Sequence, residues 1–123
     1  MQGRRGIVLF AHGSRDARWR EPIEAVARRV SERNPDTLVR CAYLELVAPD
    51  LPAAVAELVG LGAASVRVVP LFLGMGKHLR EDLPQLMAQC ATTHQGIAIT
   101  LQKAIGEESE VIDLLARIAC PDG

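Results

Sequence analysis

The stretch Gly6-Ile7-Val8-Leu9-Phe10-Ala11-His12-Gly13-Ser14-Arg15-Asp16 decides the fold. Its unbroken apolar run, 7–11, reads as a buried strand. The run ends at Gly13, where the chain must turn. The period then changes: Trp19, Ile23, Val26, Ala27 and Val30 recur at spacings of three and four, the apolar stripe of a helix. Pro22 is placed in the first turn of that helix, which is therefore expected to begin near 19–21. Asn34-Pro35-Asp36 stops it.

The same alternation continues outward. Residues 38–46 read as a second strand, with Val39, Cys41, Tyr43 and Glu45 alternating against Arg40, Ala42, Leu44 and Leu46. Asp50 reads as an N-cap with Pro52 in the first turn of a helix that runs to about 59 and ends in Gly60-Leu61-Gly62. Residues 65–73 form the third strand, followed by a glycine-bearing loop over 74–78. Asp82 reads as the N-cap of a third helix, with Pro84 at its opening and Leu83, Leu86, Met87 and Cys90 along it, to about 93. A fourth strand covers 97–101. Val111, Ile112, Leu114, Leu115 and Ile118 form the apolar face of a last helix.

A βαβαβαβα order predicts a parallel sheet with helices on both faces. Right-handed crossovers leave few topologies, and the expected one is a four-stranded sheet of order 2-1-3-4. With no internal repeat, linker or low-complexity tract, residues 1–123 read as a single α/β domain.

Composition narrows the function. Apolar residues are 49% and charged residues 24% of the 123, which supplies a core and excludes intrinsic disorder. A net charge of -1, from 14 basic and 15 acidic residues, argues against a nucleic-acid partner. Four aromatics (Phe10, Trp19, Tyr43, Phe72) make no base-stacking platform. The first 40 residues hold nine arginines against five acids, which suits an anionic small ligand; Arg28, Arg29 and Arg33 read instead as a solvated helix face. Cys41, Cys90 and Cys120 follow no metal-binding or disulfide spacing and read as reduced thiols. The polar N-terminus, 1–5, precedes an apolar run too short for a leader or a membrane span, so no membrane partner and a cytoplasmic location are expected.

In a sheet of order 2-1-3-4 the chain reverses between strands 1 and 3. Ligands bind at such a switch point, outside the carboxyl ends of the strands. His12 follows strand 1 and His78 follows strand 3, so the fold is expected to bring together two imidazoles 66 positions apart. Two neutral imidazoles can hold Co, Fe, Ni or Zn as divalent ions. Two ligands leave the site incomplete, which suits a protein that must release its metal and not a closed structural zinc site. Gly13-Ser14-Arg15 could cradle an anion on backbone N–H groups. Arg15, Arg18, Lys77 and Arg80 would give the same rim a positive charge fit for several carboxylates. Glu45, near the end of strand 2, could accept protons or assist the metal. Each also has a plainer role: His12 bonded to backbone, His78 and the cations at the surface, Glu45 an ordinary strand-end charge, His94 a helix C-terminal cap.

Jointly these motifs are more specific. His12-Gly13-Ser14-Arg15 after a strand, Tyr43-Leu44-Glu45 with Pro49 beyond, and Pro70-Leu71-Phe72-Leu73 followed by Gly76-Lys77-His78 and Asp82-Leu83-Pro84 resemble the class II tetrapyrrole chelatases, in particular the small CbiX-type sirohydrochlorin chelatases. The resemblance runs from about 7 to 84. It implies insertion of Co2+, or of Fe2+ or Ni2+, into sirohydrochlorin on the routes to cobalamin or sirohaem, with the metal as substrate and no organic cofactor. His12 and His78 match the family's metal-binding histidines. The larger chelatases have two similar lobes around a cleft, so a chain of this length is expected to form a homodimer. The chemistry suits the residues: a partly dehydrated ion must reach the macrocycle while pyrrole N–H protons leave, and histidine can hold the one and accept the others. Ser14, Arg15, Lys77 and Arg80 would meet the carboxylates of the macrocycle, and Leu73, Met75 and Leu79 would wall an apolar cleft.

Three other readings compete. A phosphohistidine enzyme would use His12 as nucleophile but wants an arginine directly before it, where Ala11 stands. A non-catalytic metal or tetrapyrrole carrier could share the fold. A hydrolase built on Ser14 lacks the G-x-S-x-G elbow.

Overall fold

The computed structural model describes residues 3–122; Met1, Gln2 and Gly123, at the ends of the expected domain, lie outside them. The elements are β1 (Arg4–Ala11), α1 (Ala17–Arg33), β2 (Leu38–Tyr43), α2 (Leu51–Gly60), β3 (Ala63–Pro70), α3 (Lys77–Thr93), β4 (Ala98–Leu101), a 3-10 turn (Ile105–Glu107) and α4 (Ser109–Ala119). All strand pairs are parallel and the order is β2-β1-β3-β4, as the alternation predicts.

Strand pleating divides the core between the two faces. Val8 and Phe10 of β1, Ala42 of β2 and Val66 and Val68 of β3 pack with Leu51, Ala54, Val55 and Leu58 of α2 and Leu83 and Cys90 of α3. On the other face α1 lies against β2 and β1, where Cys41 Sγ sits 4.0 Å from the Ile23 carbonyl and Trp19 meets Tyr43. No helix among the described residues takes the matching place over β3 and β4. Arg67, Ala98 and Thr100 stay exposed there, and Arg67 is tied to Gln102.

Several boundaries differ from expectation. Of the three prolines expected at helix openings, Pro52 stands in the first turn of α2, while Pro22 and Pro84 lie further in. Pro22 is the sixth residue of α1, which begins at Ala17 behind an Asp16 cap, and Pro84 is the eighth of α3. An interior proline costs about 3 kcal/mol. Burying one leucine or methionine returns about 1.5–3 kcal/mol. Leu79, Leu83, Leu86 and Met87 pack on both sides of Pro84, so burial outweighs the lost hydrogen bond. In consequence Asp82 is not the N-cap of α3. Gly76 is, and Lys77 and His78 belong to the first helical turn, not to a loop. Strand ends differ as well: β2 stops at Tyr43 instead of running to 46, and β3 stops at Pro70 instead of running to 73. The Ala48–Pro49 peptide is cis and Leu46 has φ 71° in the bend that follows β2.

Tyr43 is the chain's single tyrosine and is only 5% exposed. Burial pushes its phenol up to about 12, with Cys41 and Glu24 adding to the effect. An unburied phenol ionises near pH 10, so above that pH the unfolded chain releases a proton that the native chain keeps. Stability therefore falls as pH rises from about 10 towards 12. Absorbance at the phenolate band should show ionisation well above pH 10, and the urea midpoint of Tyr43→Phe should decline less steeply over the same window. A phenol that titrates near 10 in the folded protein would contradict this.

Candidate functional site

Beyond their carboxyl ends, β1 and β3 each leave the sheet differently. After β1, Leu44 N–H donates to the Ala11 carbonyl (2.8 Å) and Glu45 N–H to the His12 carbonyl (3.0 Å), so the segment after β2 keeps company with the segment after β1. Gly13 has φ 102°, and a Cβ there would collide with the Glu45 carbonyl oxygen. Only glycine allows this approach, which holds the His12 backbone beside that of Glu45. After β3, Leu71 N–H donates to the Phe10 carbonyl (2.7 Å), and Gly106 N–H donates to the Phe72 carbonyl (2.9 Å). A Cβ on Gly106 would strike the Leu73 backbone, so the 3-10 turn is pressed against the 71–74 segment.

These constraints produce one cavity of about 570 Å3, lined by His12 and Leu44 on one side and by Gly74, Gly76, Lys77, His78, Leu79, Asp82, Gln85, Leu86 and Gln89 on the other. His12 and His78 thus share a wall-to-wall space, as the strand order predicts. The two histidines are exposed and free to meet a ligand. The His12 ring stands 4.4 Å from the Phe72 ring at 68°, and Phe72 in turn meets Phe10 edge-on at 5.8 Å. A buried aromatic pair therefore braces one imidazole from the core side.

The other expected residues divide. Lys77 lines the cavity; Ser14, Arg15, Arg80 and Glu45 do not. Arg15, Arg80 and Glu45 are exposed nearby. Ser14 Oγ accepts from Asp16 N–H (3.1 Å) and its carbonyl accepts from Arg20 (3.2 Å). Asp16 caps Arg18 N–H (2.9 Å), so a carboxylate of the chain's own already sits at the start of α1. That corrects the expected anion cradle at Gly13-Ser14-Arg15. The N-terminus of α3 differs: Gly76 brings no side-chain cap, and its first turn faces the cavity. Of the expected walls only Leu79 contributes. Leu73 is 72% exposed, Met75 packs into the core, and Leu44 and Leu86 take their place. His94 caps α3 at its C-terminus, as expected.

The sequence reading missed Asp82, Gln85 and Gln89 as cavity residues. With His78 they recur at four, three and four positions, a helical stripe visible once α3 starts at Lys77. Among the described residues no three His, Cys, Asp or Glu side chains converge as a metal cage. What remains is a lipped, largely apolar cleft with two imidazoles, a carboxylate, an ammonium and amides. Such a lining can seat a flat organic ligand while leaving an ion only partly coordinated.

The sequence model of the CbiX family matches residues 6–120. A sirohydrochlorin cobaltochelatase of Methanococcoides burtonii is 28% identical over 118 residues, covering 89% of this chain and 90% of the relative. The crystal structure of a cobalamin (vitamin B12) biosynthesis CbiX protein from Marinobacter aquaeolei VT8 is 35% identical, covers 96% of both chains and superposes with a TM-score of 0.80. The sirohydrochlorin chelatase SirB from Bacillus subtilis subspecies spizizenii, solved with cobalt, is 26% identical with a TM-score of 0.77; the match covers 94% of this chain and 50% of that one.

Proposed function

Because the chain belongs to the CbiX family, we infer that it is a sirohydrochlorin chelatase, an enzyme that inserts a divalent metal ion into sirohydrochlorin. The observation that carries the reading is the convergence of His12 and His78 on one apolar cavity at the switch point of the sheet. Co2+ is the proposed metal, with Fe2+ and Ni2+ as alternatives, and no organic cofactor is invoked. Of the relatives matched above, the Methanococcoides burtonii protein is named a cobaltochelatase and SirB is solved with cobalt.

The proposed roles follow from position. His12 and His78 hold the ion from opposite walls. Glu45, tied through its backbone to His12, takes up protons that leave the pyrrole nitrogens. Lys77 and the uncapped first turn of α3 meet carboxylates of the macrocycle, with Arg15 and Arg80 forming an outer basic rim. Leu44, Leu79 and Leu86 receive the ring itself. Residues 1–123 act as one lobe, in the cytoplasm; no helix of the described residues is long and apolar enough to cross a membrane.

The second lobe is supplied by a second copy of the chain. The support is α4, where no residue is buried and Ile112, Leu114, Leu115 and Ile118 are 43–68% exposed. The helix packs on the 3-10 turn and not on the sheet. That turn abuts Leu73, whose neighbour Gly74 lines the cavity. A homodimer joined there puts the cavity between two lobes.

An anaerobic absorbance assay tests the function. Protein is mixed with sirohydrochlorin and Co2+, Fe2+ or Ni2+ in turn, against a protein-free control for spontaneous insertion. A rate proportional to protein is expected, fastest with Co2+. Macrocycle binding without any rate above the control would make the chain a carrier.

A further inference from the structure

We propose that Asp82 and His78, one turn apart on the cavity face of α3, are the receiving pair for the incoming metal ion, from which it passes to the His12 side. The inference rests on the chelatase reading and adds a residue and an order of events to it.

The starting point is an acid with nothing to do. Asp82 does not cap its helix. No salt bridge or side-chain hydrogen bond engages it among the described residues, although Arg80 and Lys77 are close in sequence. It is exposed, so folding does not require it, yet it lines the same cavity as His12 and His78. Helical residues four apart stand one above the other on a common face. An imidazole and a carboxylate so spaced can take two adjacent positions on a divalent ion, and the ligand types suit first-row metals. Both side chains are exposed and free to rotate onto the ion.

Two ligands from one helix hold such an ion weakly and leave most of its water in place. That suits cargo. The described residues offer no third acid, thiol or imidazole to close the shell, so the ion stays exchangeable. His12 projects from the opposite wall, on a different element, and is braced by Phe72. An ion on the α3 pair therefore faces its next ligand across the space where the macrocycle sits. The carboxylate also offsets the positive charge of Lys77, which would otherwise repel a dication at this lip. Beyond Asp82 the stripe continues as Gln85 and Gln89, neutral groups that do not compete for the metal.

The test is Co2+ binding to the full chain without tetrapyrrole, by isothermal titration calorimetry and by visible absorption, alongside KM values for metal and for sirohydrochlorin. Asp82→Asn should weaken Co2+ binding by at least the ~10-fold that losing an outer-shell partner already costs. It should raise KM for the metal and leave KM for sirohydrochlorin unchanged. Asp82→Glu should restore most of the affinity, and the thermal midpoint should be unmoved in both. If Asp82→Asn binds Co2+ as tightly as wild type while wild type turns over, the pair is wrong and the chelatase reading stands. A change confined to KM for sirohydrochlorin would likewise overturn it, making Asp82 a macrocycle contact. If wild-type protein neither binds Co2+ nor inserts it, both fall together.

Discussion

Replacing either His12 or His78 by alanine should lower the rate of metal insertion by about 10²–10⁴-fold, the range over which a positioned acid–base group contributes, and more if metal capture fails as well. The cause is local. Each imidazole enters the cavity from its own wall, and among the described residues no group of three His, Cys, Asp or Glu side chains forms a metal cage that could hold the ion without it. The fold should survive. Both side chains are exposed, and surface substitutions away from special features change stability by only about 0.5 kcal/mol. His12→Ala also loses the edge contact with Phe72, so its thermal midpoint should fall slightly further than that of His78→Ala. The double variant should be little slower than either single one, because two residues that act on one ion do not contribute independently. Initial rates from the anaerobic absorbance assay, with circular dichroism melts as the folding control, check all three statements. Full activity in both single variants would remove the histidines from the mechanism.

Why these two residues could be paired from sequence, while Asp82 could not, is a matter of range. The strand order follows from hydrophobic runs and from the handedness of crossovers, both of which are strong and general. Once β1 and β3 are neighbours, whatever follows each of them must meet, and that is how His12 and His78 come together. The start of α3 has no such signal. Gly76 offers no capping side chain, while Asp82 followed by Pro84 imitates a helix opening almost perfectly. What decides is packing: Leu79, Leu83 and Leu86 reach the core only if the helix is already wound before the proline. The same competition misplaced the start of α1 around Pro22. Gly13 shows the opposite case. Its need for a positive φ is legible as a turn, but the partner that demands it, the Glu45 carbonyl, comes from the bend after β2 and is visible only in three dimensions.

The last helix carries the second large expectation. Its apolar residues make the helical face that their period predicts; a surface to cover that face is what the single chain lacks. In a doubly wound sheet, the helix after β4 would return over the face that α1 leaves open. Instead the 3-10 turn, anchored through Ala104, which is buried, and through Gly106 on Leu73, directs α4 away from the sheet. Four aliphatic side chains stay 43–68% exposed, and each offers a part of the about 1.5–3 kcal/mol that full burial of such a residue is worth. Doubled by symmetry, that is enough to drive association of two copies through a self-complementary contact. Light scattering on the wild-type chain should therefore give twice the monomer mass. Placing a charge in the stripe, as in Leu115→Asp or Ile118→Asp, should return the monomer mass, because an unpaired carboxylate buried against aliphatics costs several kcal/mol. If the cleft is completed by the partner, the same variants should lose insertion activity while still binding Co2+ at His78 and Asp82, and activity should recover as protein concentration is raised. A monomeric wild type with full turnover would show that one lobe suffices and would leave α4 to some other neighbour.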